Sequence, residues 1–91
     1  NKIILMNINE LIAIVKNKLE MEIVIQNLKI EDKSFLHKNH KGHKEGKFHL
    51  KLTIKSEELT KLTKIASTKK VYAALNLELK EYIHSIQILL N

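Results

Sequence analysis

Two hydrophobic periods divide this chain. Ile8, Leu11, Ile12, Val15 and Leu19 recur at helical spacing behind Asn7, with Glu10 three residues after that Asn as in a capping box. The spacing predicts an amphipathic helix over roughly residues 8–20. From Ile23 to Ile30 the chain is rich in β-branched residues, and Leu28 and Ile30 alternate with Lys29 and Glu31, which predicts a half-buried strand. The clearest alternation comes later: Phe48, Leu50, Leu52 and Ile54 are interleaved with Lys47, His49, Lys51, Thr53 and Lys55, the pattern of a strand with one wet face. Between these two strands, residues 32–47 are polar, hold both glycines (Gly42 and Gly46), and read as a loop.

Ser56 followed by Glu57 and Glu58 predicts a helix start, since a hydroxyl cap and early acids suit the positive end of the helix dipole; Lys61 and Lys64 fall towards its other end. Ser67 and Thr68 read as a second start, after which Val71, Leu75, Leu79 and Tyr82 mark one face of a longer helix to about Glu81. Residues 83–90 alternate again, Ile86, Ile88 and Leu90 against Ser85, Gln87 and Leu89. The predicted order is helix, strand, strand, helix, helix, strand. That is an α+β sandwich, a three-stranded sheet with helices on one face.

Composition narrows the function. A chain of 91 residues buries only about 60–65% of its unfolded surface, room for one small core and no cleft between domains. There is no Cys, so no disulfide, no thiolate nucleophile and no thiolate ligand can come from this chain. The longest apolar run, Leu11 to Val15, is far short of a membrane span, and residues 1–5 show no targeting pattern, so the chain reads as a soluble protein of a reducing, cytoplasmic compartment. Residues 1–5 read as an N-terminal extension ahead of a single domain over 6–91, with Met6 as the candidate natural start. No phosphate-binding loop, dinucleotide fingerprint or activated nucleophile is present, which argues against an enzyme.

The candidate chemistry is imidazole. His37, His40 and His43 recur every three residues in the polar loop, His49 lies on the following strand and His84 opens the last one. Neutral imidazole suits Zn, Cu, Ni or Fe, but this spacing matches no closed zinc motif. The second candidate is charge. The net charge is +6, and residues 33–70 hold 11 Lys against Glu45, Glu57 and Glu58, a balance that would draw in phosphate or simply keep the surface solvated. There is no Arg and there are few rings, which leaves little to read bases with.

These residues resemble the BolA-like family. Ser56-Glu57-Glu58-Leu59 and Val71-Tyr72-Ala73-Ala74-Leu75 are similar to the family's S-E-x-F and V-Y-x-A-L, Ile83-His84-Ser85-Ile86 to its I-H-A-L, and Phe48-His49-Leu50-Lys51-Leu52 to its S-H-F-K-V strand. In the loop, Asp32, Ser34, His37 and His40 match the family's D-E-S-H-K-H-A-G-H. The chain departs from the pattern where R-H-R becomes Ser67-Thr68-Lys69 with Lys70 following, where the usual glycine becomes Lys61, and where the aromatic becomes Leu59. The resemblance implies a fold like a class II KH domain, although the G-x-x-G loop that clamps nucleotides is absent. It further implies partnership with a monothiol glutaredoxin and a shared two-iron, two-sulfur cluster. The partner's Cys and glutathione would ligate from one side, His37 and His84 from the other, with His40 and His43 as substitutes for His37 and His49 in a structural or supporting role. The isolated chain would then carry no cluster and be a monomer. An alternative that the resemblance also implies is a DNA-binding transcriptional regulator, using Lys61, Lys64, Lys69 and Lys70.

Overall fold

Asn7 opens the first helix as its spacing predicts. Its side-chain oxygen accepts the Glu10 N–H at 2.8 Å and its amide donates to the Glu10 carboxylate at 2.6 Å. The computed structural model describes residues 6–34 and 48–91. In it α1 spans Ile8–Glu22 and buries Leu11, Val15 and Leu19, the stripe read from the sequence.

The first strand starts later than the β-branched run suggests: β1 is Asn27–Asp32. Ile23 instead caps α1, its N–H bonded to the Leu19 carbonyl, and Val24 is largely exposed. The β-propensity of this run is overridden because its polar groups are engaged elsewhere. The Val24 N–H donates to Glu58 at 3.0 Å, the Val24 carbonyl accepts from the Ser56 hydroxyl at 2.7 Å, and the Gln26 side chain accepts the Glu57 N–H at 2.9 Å. The connector is strapped to the start of α2, Glu57–Thr60, whose N-cap is Ser56 as expected.

Lys70 closes the strap by an ion pair to Glu58. That ammonium, together with the Val24 N–H, holds the Glu58 carboxyl below its ordinary value of 4.5. A lowered carboxyl contributes stability above its unfolded pKa and loses it as the pH falls through the folded one. Lys70→Met is therefore expected to lower the urea midpoint at neutral pH, and the gap to the parent should close below about pH 4. A gap that stays constant with pH would show that the pair does not stabilise the fold.

The helical region departs from the expected two helices. β2 is Phe48–Lys55; α3 is Lys64–Ala74, capped by Thr63, whose hydroxyl accepts the Ala66 N–H at 3.1 Å; α4 is Asn76–Glu81; and β3 is Ile83–Leu90. Ser67 is thus no cap. It is buried inside α3, and its hydroxyl is satisfied by the Lys64 carbonyl at 2.9 Å. Lys61 sits on the C-cap of α2 and Lys64 opens α3, so they do not share one helix end. Leu75 separates α3 from α4 with φ −107° and ψ 19°, without Gly or Pro to announce it.

Glu78 of α4 is buried, and one carboxylate oxygen meets Lys18 of α1 at 2.7 Å. The other oxygen has no partner among the described residues. Lys18→Ala would strand a buried carboxylate and is expected to cost about 1–3 kcal/mol, whereas Glu78→Met should be neutral or stabilising. Thermal melts of the two variants would check this, and equal losses would refute it.

The sheet order is β1-β2-β3, with β1 antiparallel and β3 parallel to β2. Leu50, Leu52 and Ile54 of the central strand face Leu11, Val15, Leu19, Leu59, Val71 and Leu75, so the helices cover one face and one core lies between the layers. Phe48 and Tyr82 are partly buried and pack on its margin.

Candidate metal-ligand site

The β2–β3 ladder carries one irregularity, and it falls on the histidines. Phe48 pairs with Ile83, but the next residue, His49, pairs with Ser85, so His84 is left as an extra residue on β3. Such a bulge re-aims side chains. Ile83 and Ile86 stay on the core side, while His84 and Ser85 are both exposed and both reach His49. The rings of His49 and His84 lie with centroids 4.9 Å apart, tilted by 54°. Nδ1 of His49 and the Ser85 hydroxyl share a 2.6 Å hydrogen bond.

His49 was expected on a wet face and is instead 6% exposed. The ring is held against Ser85 and His84 of β3 on the outer face of the sheet. Its backbone is held as well: the N–H donates to the Ser34 hydroxyl at 3.1 Å and the carbonyl accepts the Lys33 N–H at 2.7 Å. Ser34 is fixed in turn, its N–H donating to Asp32 at 2.9 Å. At the far end of segment 35–47 the Phe48 N–H donates to the Tyr82 carbonyl at 2.9 Å. Of the two residues flanking segment 35–47, Phe48 therefore pairs with Ile83, next to His84, and Ser34 is bonded to His49, whose ring meets that of His84. His37, His40 and His43 belong to that segment and lie outside the described residues.

Of the sequence-level candidates, the structure thus brings His49 and His84 together and presents His84 to solvent. It also brings in Ser85, which the sequence reading left unassigned. A signal was available: Ser85 stands where the I-H-A-L motif has alanine. Among the described residues no group of three or more His, Cys, Asp or Glu side chains is placed to hold a metal. Both described histidines lie at this end of the sheet.

The lysine set is dispersed. Lys61, Lys64 and Lys69 are exposed, and Lys64 and Lys69 border a depression of about 450 Å³ with Ile65, Thr68 and Tyr72 on the outside of α3. Lys70 is committed to Glu58. That pairing removes one of the four charges from the proposed phosphate-contacting set.

The family model described as BolA-like protein matches residues 19–91, most of the chain. The chain belongs to the BolA-like family. Among solved structures, this BolA-like protein is similar to the BolA domain of SufE1 from Arabidopsis thaliana, at 26% identity and a TM-score of 0.75, covering 94% of this chain and 93% of that one. It is similar to BolA1 from Arabidopsis thaliana at 27% identity and a TM-score of 0.74, with 87% of each chain covered. BolA1 from Mus musculus shares the fold at 21% identity and a TM-score of 0.68, over 85% of this chain and 60% of that one. No curated protein matches. No described helix is long and apolar enough to cross a membrane.

Proposed function

We propose that this BolA-like protein is an adaptor that binds a monothiol glutaredoxin and supplies histidine nitrogen to a two-iron, two-sulfur cluster held between them. The observation that carries the reading is the exposed His84 imidazole, set out by a strand bulge next to Phe48, the residue that follows the segment bearing His37, His40 and His43. The donor set fits. The chain has no thiol and so can offer only the nitrogen side of a mixed site, with His84 as one ligand and one of the three segment histidines as the other. Imidazole in place of thiolate raises a cluster's reduction potential, which suits regulation or onward delivery.

The chain's own contribution is to position its ligand. His84 is carried on a strand rather than on a loop, and its register is fixed by the β2 ladder.

The test is a titration of cluster-loaded monothiol glutaredoxin, with glutathione present, followed by visible circular dichroism. A new saturable spectrum at a fixed stoichiometry is expected. An unchanged spectrum overturns the proposal. Binding to DNA that falls steeply with salt in the same preparation would instead favour the lysine surface.

A further inference from the structure

We propose that β3 is a pairing edge and that a second copy of this chain occupies it, antiparallel across a twofold axis, so that the two sheets of order β1-β2-β3 join into one.

The sheet has two outer strands, and they are built differently. β1 spans six residues and carries Lys29, Glu31 and Asp32. Ionic side chains and short length keep an edge from pairing with another chain. β3 has neither protection. It runs for eight residues, Ile83–Leu90, against about five or six for an ordinary strand, and it alone among the described elements carries no Lys, Asp or Glu. It also lacks proline, and its bulge falls at His84, which leaves Ser85 to Leu90 in regular register. Along that stretch β2 takes one side, and among the described residues no strand takes the other. The backbone N–H and carbonyl groups of an open edge are a template for one more strand.

Charge selects the occupant. Each chain carries a net +6, so two copies repel least where the facing strands hold no ionic group, and β3 is such a strand. Its own pattern is also the one this edge accepts. Ile86, Ile88 and Leu90 pack towards the core, while Ser85, Gln87 and Leu89 are exposed on the outer face. Opposed residues of an antiparallel pair share a face. A twofold at Gln87, the middle of the three outer positions, therefore sets Ser85 of one copy against Leu89 of the other, and Ile86 against Ile88. The helix layer leaves room for this. A depression of about 440 Å³ lies between α2, α3 and the end of β3, bordered by Leu59, Leu62, Ile88 and Leu89, and Leu62 and Leu89 are each 40% exposed. Pairing brings the second strand against this apolar border. The contact is isologous and leaves only the ionic β1 edges outside, so it closes at two copies and does not grow into a fibre. The family resemblance implies a monomer, whereas the open edge implies a dimer that forms as concentration rises.

The experiment is sedimentation of the whole chain over a dilution series. The weight-average mass of the parent should rise from one chain towards two, and added salt should strengthen the association by screening the repulsion between the copies. Gln87→Lys and Gln87→Glu each set like charges face to face at the axis, on an exposed position that the fold does not depend on. Either variant alone should keep the parent's far-ultraviolet dichroism and stay at the mass of one chain throughout. An equimolar mixture of the two sets opposite charges together and should restore the doubled mass. Amide hydrogen exchange gives a second reading: residues 85–89 should slow with concentration, while β1 should not. A parent that stays at the mass of one chain at every concentration overturns the proposal. So does a dimer that Gln87→Lys leaves intact, or a mixture of the two variants that fails to associate.

Discussion

His84→Ala is expected to abolish the mixed-ligand dichroism spectrum while leaving the protein folded. His84 is exposed and lies at the bulge of β3, outside the regular ladder, so trimming it removes no core contact. Surface substitutions of this kind change stability by about 0.5 kcal/mol or less. The loss to the proposed cluster should be far larger. Deleting a ligand exceeds the roughly 10- to 100-fold cost of disturbing a ligand's supporting bond. The two readouts should therefore separate: a urea midpoint near the parent's, and no saturable spectrum on titration with cluster-loaded glutaredoxin. A persisting spectrum of normal lifetime would remove His84 from the ligand set and with it the central element of the proposal.

Leu52→Ala is expected to have the largest effect on stability. Leu52 has no exposed surface and lies on the central strand, where it pairs with Ile30 on one side and Ile88 on the other. Truncating such a side chain removes transfer energy and leaves a cavity that both layers border, at a cost of about 2–5 kcal/mol. Against a typical total of about 5–15 kcal/mol, this brings a small domain close to unfolding. Leu89→Ala serves as the control. Leu89 is 40% exposed on β3, and its loss should shift the midpoint only slightly. Comparable shifts in the two variants would mean that the core does not lie where the layers place it.

Legibility in the sequence followed the kind of signal each element carries. Periodicity located α1, β2 and β3 because each buries one stripe or one face, and Asn7 and Ser56 announced their helices through local hydrogen bonds. Ile23 to Ile25 have strand composition, yet β1 starts only at Asn27, because the Val24 N–H and carbonyl are claimed by Glu58 and Ser56 more than thirty residues away. Likewise Ser67 and Thr63 are both plausible caps locally, and only packing decides that Ser67 goes inside. His84 was legible as part of a motif. Its pairing with His49 and Ser85 was not, because it depends on a one-residue slip in a parallel ladder, and nothing in a period-two pattern marks such a slip.

The parallel pairing of β2 with β3 also sets when the candidate site comes into being. His49 and Ser85 are 36 residues apart, and all of α2, α3 and α4 lie between the strands that carry them. A parallel pair cannot close through a tight turn; the crossover must be laid down first, at the entropic cost of a long loop. Contacts of this separation slow folding. The imidazole row is consequently absent from any chain that stops short of β3 and from any molecule in which β3 has peeled away. Ligand presentation and completion of the fold are the same event, so a partner that recognises this row samples only finished molecules.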